Sequence, residues 1–600
     1  MAKEPLNAQK DQLVTMIVDG VEVEHRLELH GACYLTERFL DRPCSFGDRG
    51  IEPYRAALTV GPEGIVENMS VPAAVHGGQV DDHCADGITV ESTSQDFTAL
   101  LLRKGTYTLK NSTLNFHTES DGSHVSDFTG YGSVITALDG SKLTLDNVEI
   151  TSTGVAKPCL FCDSNSDALL KDCRVKVMGG RLYDGYINSA DCTKMVAAPW
   201  VLGITGNARG LNMMGENSSV TVVDCDMAAA QWGVISTDSG KNMQLVVVDS
   251  DLTLLGEAES DDANPYQKRY GSGYGTYIIG GADERFYGVH IRVGTYGAIV
   301  RNGTGTYMSS SRNIKVTSPS DGNMIYQGTG KGQGCVIDSD GFGFMSHGPG
   351  TLNLLDGTVV NSDSASFLVR AGGLTVNVKD GSELNCGDGV LMQVLDDDDS
   401  ITGLNLKSEL FLTFNTNFYE KAGWPSENGQ ISTLLPPPPP KQKPPVSEEE
   451  LAKMVFIKPE TFVRFQAENT VLNGDIYNGS GYYGQPAKQL YVTLGGGATL
   501  NGTISATETR HIDEFGNQNT HFTSREYYYL GRVENRPYFN GENSTEVVLE
   551  AGSVWNIHGE GILTALTVCP GAALHGRIVV DGTEIVPEAG VRYMGDIRVS

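Results

Sequence analysis

LTLDNVEI (143–150) is echoed by LLKDCRVKV (169–177), VTVVDCDM (220–227) and LVVVDSDLTL (245–254). Each is an apolar run, an Asn or Asp, one further residue, and an alternating apolar/polar run. SSSRNIKV (309–316) and CVIDSDGF (335–342) repeat the phrase, and FYGVHIRV (286–293) fits with Gly288 in the Asn/Asp place. The expected turn residues are Asn147, Asp172, Asp224, Asp249, Gly288, Asn313 and Asp338. Four of their six spacings are 25 residues; the other two are 52 and 39, one period plus an insert. A fixed period of roughly 20–50 residues marks a solenoid. The units alternate with the period of a strand and show no helical period, so the fold class expected is all-β, a parallel β-helix. Asn and Asp suit the turn because they tolerate left-handed backbone and hydrogen-bond nearby amides. Stacked coil on coil, they form a ladder.

The same rhythm extends outward. Asn111, Asp356 and Asp380 stand in comparable places. Residues 1–90 read as an N-terminal cap, because an end coil otherwise exposes a sheet edge and an apolar core. Residues 91–433 read as the helix. LLPPPPPKQKPPVSEEE (434–450) reads as a linker, since Pro blocks ladder hydrogen bonds. Residues 451–600 are strand-rich again and read as a C-terminal β extension, a surface through which copies of the chain would associate.

Composition narrows the partners. Glycine is 72 of 600 residues, as a chain full of tight turns requires, and the net charge is −30. That charge argues against nucleic acid, whose phosphates need Lys/Arg patches. No run of about 20 apolar residues is long enough for a membrane-spanning helix. The first 20 residues lack a signal-peptide core, so a cytoplasmic location is expected. Eleven scattered cysteines read as reduced thiols. Cys173 and Cys225, each just after a turn residue, read as small buried fillers. CLFC (159–162) has no second CxxC to complete a metal site.

The ladder pattern resembles the right-handed parallel β-helix of the pectin-lyase-like superfamily over roughly residues 90–400. The resemblance implies the fold, and a substrate groove flanked by the loops at one corner. It implies no single activity, because the fold carries lyases, hydrolases, isomerases and adhesins. Pectate lyases show a WxDH stretch and a calcium site of clustered acids, and this chain has neither. Of the polygalacturonase stretches, only SHGPG (346–350) and RNIKV (312–316) come near. No Walker loop, Rossmann fingerprint or HExxH is present, so neither organic cofactor nor catalytic zinc is expected.

The inserts point to the site. Extra residues follow Phe116, Val177 and Leu255, each at the end of the strand after a ladder turn. Inserts at one phase of a solenoid project from one side and wall a cleft. Their arms supply Tyr183, Tyr186, Lys194, Lys268, Arg269 and Tyr270. The strand after that corner opens with an aromatic on four coils: Trp200, Trp232, Tyr274 and Tyr296. These suit stacking on a sugar or another planar ring, or packing of one coil on the next. Arg209, Asp238 and Arg301 lie at strand ends. The set offers an acid, a base and oxyanion-stabilising cations. A second column, Glu149, Arg174, Asp226, Asp251, His290, Lys315 and Asp340, points outward and reads as solvation; His290 alone has a proton affinity near neutral pH. The function expected is cofactor-independent acid–base chemistry on a carbohydrate or other polyhydroxylated ring compound. The alternatives are a non-catalytic surface adhesin or structural solenoid, and a calcium-dependent polysaccharide lyase.

Overall fold

The computed structural model describes residues 12–18, 21–29, 53–94, 97–118, 130, 132–181, 204, 206–256, 271–346, 348–370, 372–395, 462–480, 488–512 and 533–600. These form a parallel β-solenoid of three-strand coils. One coil shows the plan. Lys142–Asp146 belongs to the first sheet, Asn147 turns the chain at φ 55°, Glu149–Thr153 belongs to the second sheet, and Leu160–Asp163 to the third. Asp167–Lys171 then begins the next coil, in register and parallel, with Leu143 beside Ala168 and Ile150 beside Val175.

The first sheet stacks without a break from Cys84–Asp86 to Gly561–Val568, and the third from Pro53–Gly61 to Ile504–His511. The second is in two parts, Thr89–Ser92 to Glu383–Cys386 and Val471–Asn473 to Ala573–His575. Arg464 pairs with Thr375 and Ile476 with Met392, so residues 462–480 continue the same stack. At the start, Gln12–Val18 and Val21–Leu29 form an antiparallel hairpin that joins Pro53–Gly61. At the end, Arg592–Val599 runs antiparallel on Gly561–Val568. Both ends thus terminate in antiparallel strands that cover a coil edge. Residues 434–450 lie outside the described residues.

The turn reading holds for Asn147, Asp172, Asp224, Asp249 and Gly288, whose φ values are 55°, 53°, 53°, 44° and 64°. It is corrected for Asn313 and Asp338. Asn313–Thr317 pairs with Met324–Thr329 as an inserted antiparallel hairpin, and Asp338 lies inside the second-sheet strand Val336–Ser339. The next coil after His290 is entered at Val336, so the two last 25-residue spacings are coincidences of strand alternation. Lys315 and Asp340 therefore leave the outward column, which runs Glu149, Arg174, Asp226, Asp251, His290, Val336. The hairpin lies across the first sheet, packing Ile314 and Val316 on Val223, Val246 and Val248, with Lys331 Nζ 2.5 Å from Asp224.

Behind several of the turns stands a small side chain that bonds in two directions. Ser250 Oγ donates to Val248 O at 2.7 Å and accepts from Cys225 N–H at 3.0 Å. Cys225 Sγ lies 3.2 Å from Val223 O and accepts from Cys173 N–H at 3.3 Å. The cysteines after the turn are thus buried thiols in a structural role. A second amide ladder occupies the corner between third and first sheets. There Asn242 donates to Asn217 at 2.8 Å and Asn217 to Asn165 at 3.0 Å.

Polar side chains also enter the interior, an acid among them. Glu284 is fully buried and sits 2.8 Å from Thr237 Oγ1 and 2.5 Å from Thr276 Oγ1. Thr237 Oγ1 accepts from Ile279 N–H and lies 2.9 Å from Tyr277 O. A hydroxyl has one proton; when Thr237 gives it to Tyr277 O, Glu284 is the donor and a neutral acid. Burial pushes its pKa from 4.5 up to about 7. A raised folded value means stability is complete below about pH 4.5 and is lost as pH rises through about 7. Glu284→Gln is therefore expected to flatten the fall in unfolding midpoint between pH 5 and pH 8 and to unfold above the parent at pH 8. An unchanged pH slope contradicts the neutral assignment.

Candidate functional site

The outer face of the third sheet is the unusual surface. On an ordinary solenoid such a face meets water. Here Leu101, Phe161, Met214, Tyr277, Ile299, Met345 and Leu368, which point away from the core, are all buried. Charged side chains are buried with them: Asp163, Arg209, Asp238, Arg301 and Arg370 are each 3% exposed or less. Isolated burial of a charge is costly, so such groups are paired or functional.

The centre lies in two adjacent strands, Arg209–Glu216 and Gly233–Lys241. Arg209 forms an ion pair with Asp238, bonds Asn212 Oδ1 at 3.3 Å and places its guanidinium 3.9 Å from the Trp232 ring. Asp238 is reached through a β-bulge: Met213 pairs with Thr237, but Met214 with Ser239. A bulge re-aims the extra side chain, and bulges concentrate beside functional sites. The approach to the strand is strained as well. Gln231 and Trp232 have φ 63° and 47°, a conformation costly for an aromatic residue. The indole Nε1 of Trp232 is buried and makes no hydrogen bond.

Next to this group, Tyr274 OH and Ser236 Oγ share a hydrogen bond of 2.6 Å. The Tyr274 ring lies on Gly233, where a Cβ would overlap it, so the aromatic–Gly phrase has a packing cause. Gly275 and Gly297 point inward, and their missing Cβ atoms make room for Ile291 and Ile337 of the second sheet. Tyr296 continues the column and stacks on Phe342 at 6.0 Å between centroids. Trp232, Tyr274 and Tyr296 are 2% exposed or less, so they form a packed wall and present no open ring face.

Of the sequence candidates, then, Arg209, Asp238, Trp232 and Tyr274 come together, with Tyr296 and Arg301 further along the same face. His290 does not join them. It lies on the outer face of the second sheet, where Nε2 is 2.6 Å from Asp338 Oδ2 and Nδ1 is 2.6 Å from Arg292 Nη2. Both ring nitrogens are occupied, and its place in the catalytic set is withdrawn. Tyr183, Tyr186, Lys194, Trp200, Lys268, Arg269 and Tyr270 lie outside the described residues. The base of the second insert is described, and is clasped twice: Gly180 N–H donates to Asn207 Oδ1 at 2.9 Å, and Asn207 Nδ2 to Gly180 O at 2.8 Å. Sequence reading missed Asn212, Ser236, Asp163 and Arg370 on the site face. Their signal was the outward parity of polar residues in strands whose neighbours are apolar on both faces. Cys159 and Cys162 are fully buried, and burial raises both thiol pKa values. Among the described residues no three His, Cys, Asp or Glu side chains gather as an ion site.

The chain matches no protein-family model, no curated protein and no solved structure.

Removing Asp238 alone takes the carboxylate from beside a buried guanidinium. Asp238→Ala is expected to cost about 3–5 kcal/mol in chemical denaturation, and Arg209→Met with Asp238→Leu to recover most of it. Equal losses in the single and double variants would contradict a desolvated, mutually neutralised pair.

Proposed function

We propose that the outer face of the third sheet binds a carbohydrate or another polyhydroxylated ring compound and performs acid–base chemistry on it, as a lyase, isomerase or hydrolase without organic cofactor. We further propose that the chain is a divergent relative of the pectin-lyase-like β-helix. The observation that carries the first reading is the concentration of irregularity in residues 231–238. Left-handed Trp232, an unpartnered buried indole N–H, a bulge at Asp238 and a buried ion pair meet on one face. Each is costly to the fold, and costs of this kind persist at functional sites.

In this reading Asp238, held in place by Arg209, is the proton acceptor. The Tyr274–Ser236 hydrogen bond gives a second route for a proton. Arg209 and Arg301 supply positive charge against a developing oxyanion, unlike the chain's acidic surface.

A second reading, a non-catalytic structural solenoid or adhesin, is favoured by the complete burial of Trp232, Tyr274 and Tyr296. A thermal-shift screen of sugars, uronates, polyphenols and calcium separates the two, because a ligand of the folded state raises the midpoint by mass action. One saccharide or ring compound is expected to raise it. Tyr274→Phe, which keeps the ring, is expected to abolish that rise while losing only about 1 kcal/mol of stability. No rise with any compound supports the structural solenoid. A rise only with calcium and uronate oligomers together supports a calcium-dependent lyase.

A further inference from the structure

The second sheet carries a row of amides on its outer face. Asn361 Nδ2 donates to Asp338 Oδ1 at 2.8 Å, and Asn385 Nδ2 donates to Asn361 Oδ1 at 2.9 Å. Beyond the point where this sheet divides, the row resumes. Asn501 Nδ2 donates to Asn473 Oδ1 at 2.8 Å and Asn556 Nδ2 to Asn501 Oδ1 at 2.7 Å. Both halves run in the same direction, each donor pointing toward the preceding coil.

The halves are in register across the division. Gly381 N–H donates to Asn469 O at 2.8 Å, and Thr470 Oγ1 donates to Ser382 O at 2.6 Å. Leu384 and Leu472 both point into the core. Counting on by one residue, Asn385 and Asn473 occupy the same row. They do not pair. The strands Glu383–Cys386 and Val471–Asn473 have separated, and the opening is a groove of ≈ 440 Å³ lined by both asparagines, Glu383, Thr470 and Val471.

The broken row leaves two exposed polar atoms without partners among the described residues: Asn385 Oδ1, an acceptor, on one lip, and Asn473 Nδ2, a donor, on the other. A group that both donates and accepts satisfies both at once, and a carboxamide does so in the sense of the row itself, its N–H donating to Asn385 Oδ1 and its C=O accepting from Asn473 Nδ2. A carboxylate offers no donor to Asn385 and is repelled by Glu383 on the same lip. Strand edges add to the recognition. Each of the two strands is hydrogen-bonded through its sheet on one side only, so alternate main-chain groups face the groove. Val471 is 57% exposed and offers an apolar contact beside them. The groove volume falls at the small end of ligand pockets, which span about 300–1,000 Å³.

We propose that this groove is a peptide-recognition site that inserts the carboxamide of an Asn or Gln side chain into the gap of the amide row. It is separate from the third-sheet face and does not depend on the function proposed there.

The test is calorimetric titration of the full chain with acetyl-Gly-Asn-Gly-dimethylamide, whose C-terminus carries no primary carboxamide, beside its Asp and Ala counterparts. The Asn peptide is expected to bind at least tenfold more tightly than either. Asn473→Asp is the decisive variant. It keeps the oxygen that accepts from Asn501 and replaces only the open donor, so the thermal midpoint is expected to stay at the parent value while affinity falls at least tenfold. Equal binding of the Ala peptide, or undiminished binding by Asn473→Asp, overturns the carboxamide assignment. No binding of the Asn peptide at millimolar concentration also overturns it, and leaves the gap as one bridged by water.

Discussion

The left-handed residue between the first and second sheets is the constraint on which this molecule rests. A coil closes only if the chain bends sharply there without spending residues, and one residue at φ near +50° does so. Most L-residues resist that conformation by about 1–2 kcal/mol, whereas Asn, Asp and Gly adopt it readily. The choice also fixes the interior. In the column behind the turn, Ser250, Cys225 and Cys335 are small and satisfy an amide of the previous coil, while Val148 and Val289 fill the same column with apolar bulk. Strand register follows, and with it the separation of each strand into an inward apolar set and an outward set.

Given such regularity, departures carry the information. The inserts that follow Phe116, Val177 and Leu255 fall at the corner between second and third sheets, and the second of them leads into the strand that bears buried Arg209. An inserted hairpin at another corner instead folds down on the first sheet and covers Val223, Val246 and Val248. Two faces of one scaffold are therefore covered, one by apolar packing and the other over a mixed floor of arginine, aspartate and aromatic side chains. The difference in chemistry between these two covered faces is what the function proposed for the third sheet rests on.

Much of this was legible in the sequence because the period of the turn residues is a local property. Asn147 through Gly288 could be placed from spacing alone. The reading failed at Asn313 and Asp338 because a hairpin strand alternates just as a coil strand does, and a sequence does not say which partner a strand will choose. The site was legible only in pieces. Arg209, Asp238 and Tyr274 stood out as polar or aromatic residues at strand ends. His290 did too, yet alternation put it on another face, between Arg292 and Asp338. The bulge that re-aims Asp238 and the left-handed Trp232 leave no trace in composition, since both arise from how one coil seats on the next.

Hydrogen–deuterium exchange of the full chain, with and without a saturating mixture of monosaccharides, uronates and polyphenols, tests the central claim most directly. The account predicts that exchange slows in Arg209–Glu216, Gly233–Lys241 and Tyr274–Ile279 of the third sheet, and stays constant in His290–Val293 on the second and in the hairpin strands Asn313–Thr317 and Met324–Thr329 over the first. Unchanged exchange in these third-sheet strands while any of these compounds binds, or a change confined to the other two faces, would contradict it.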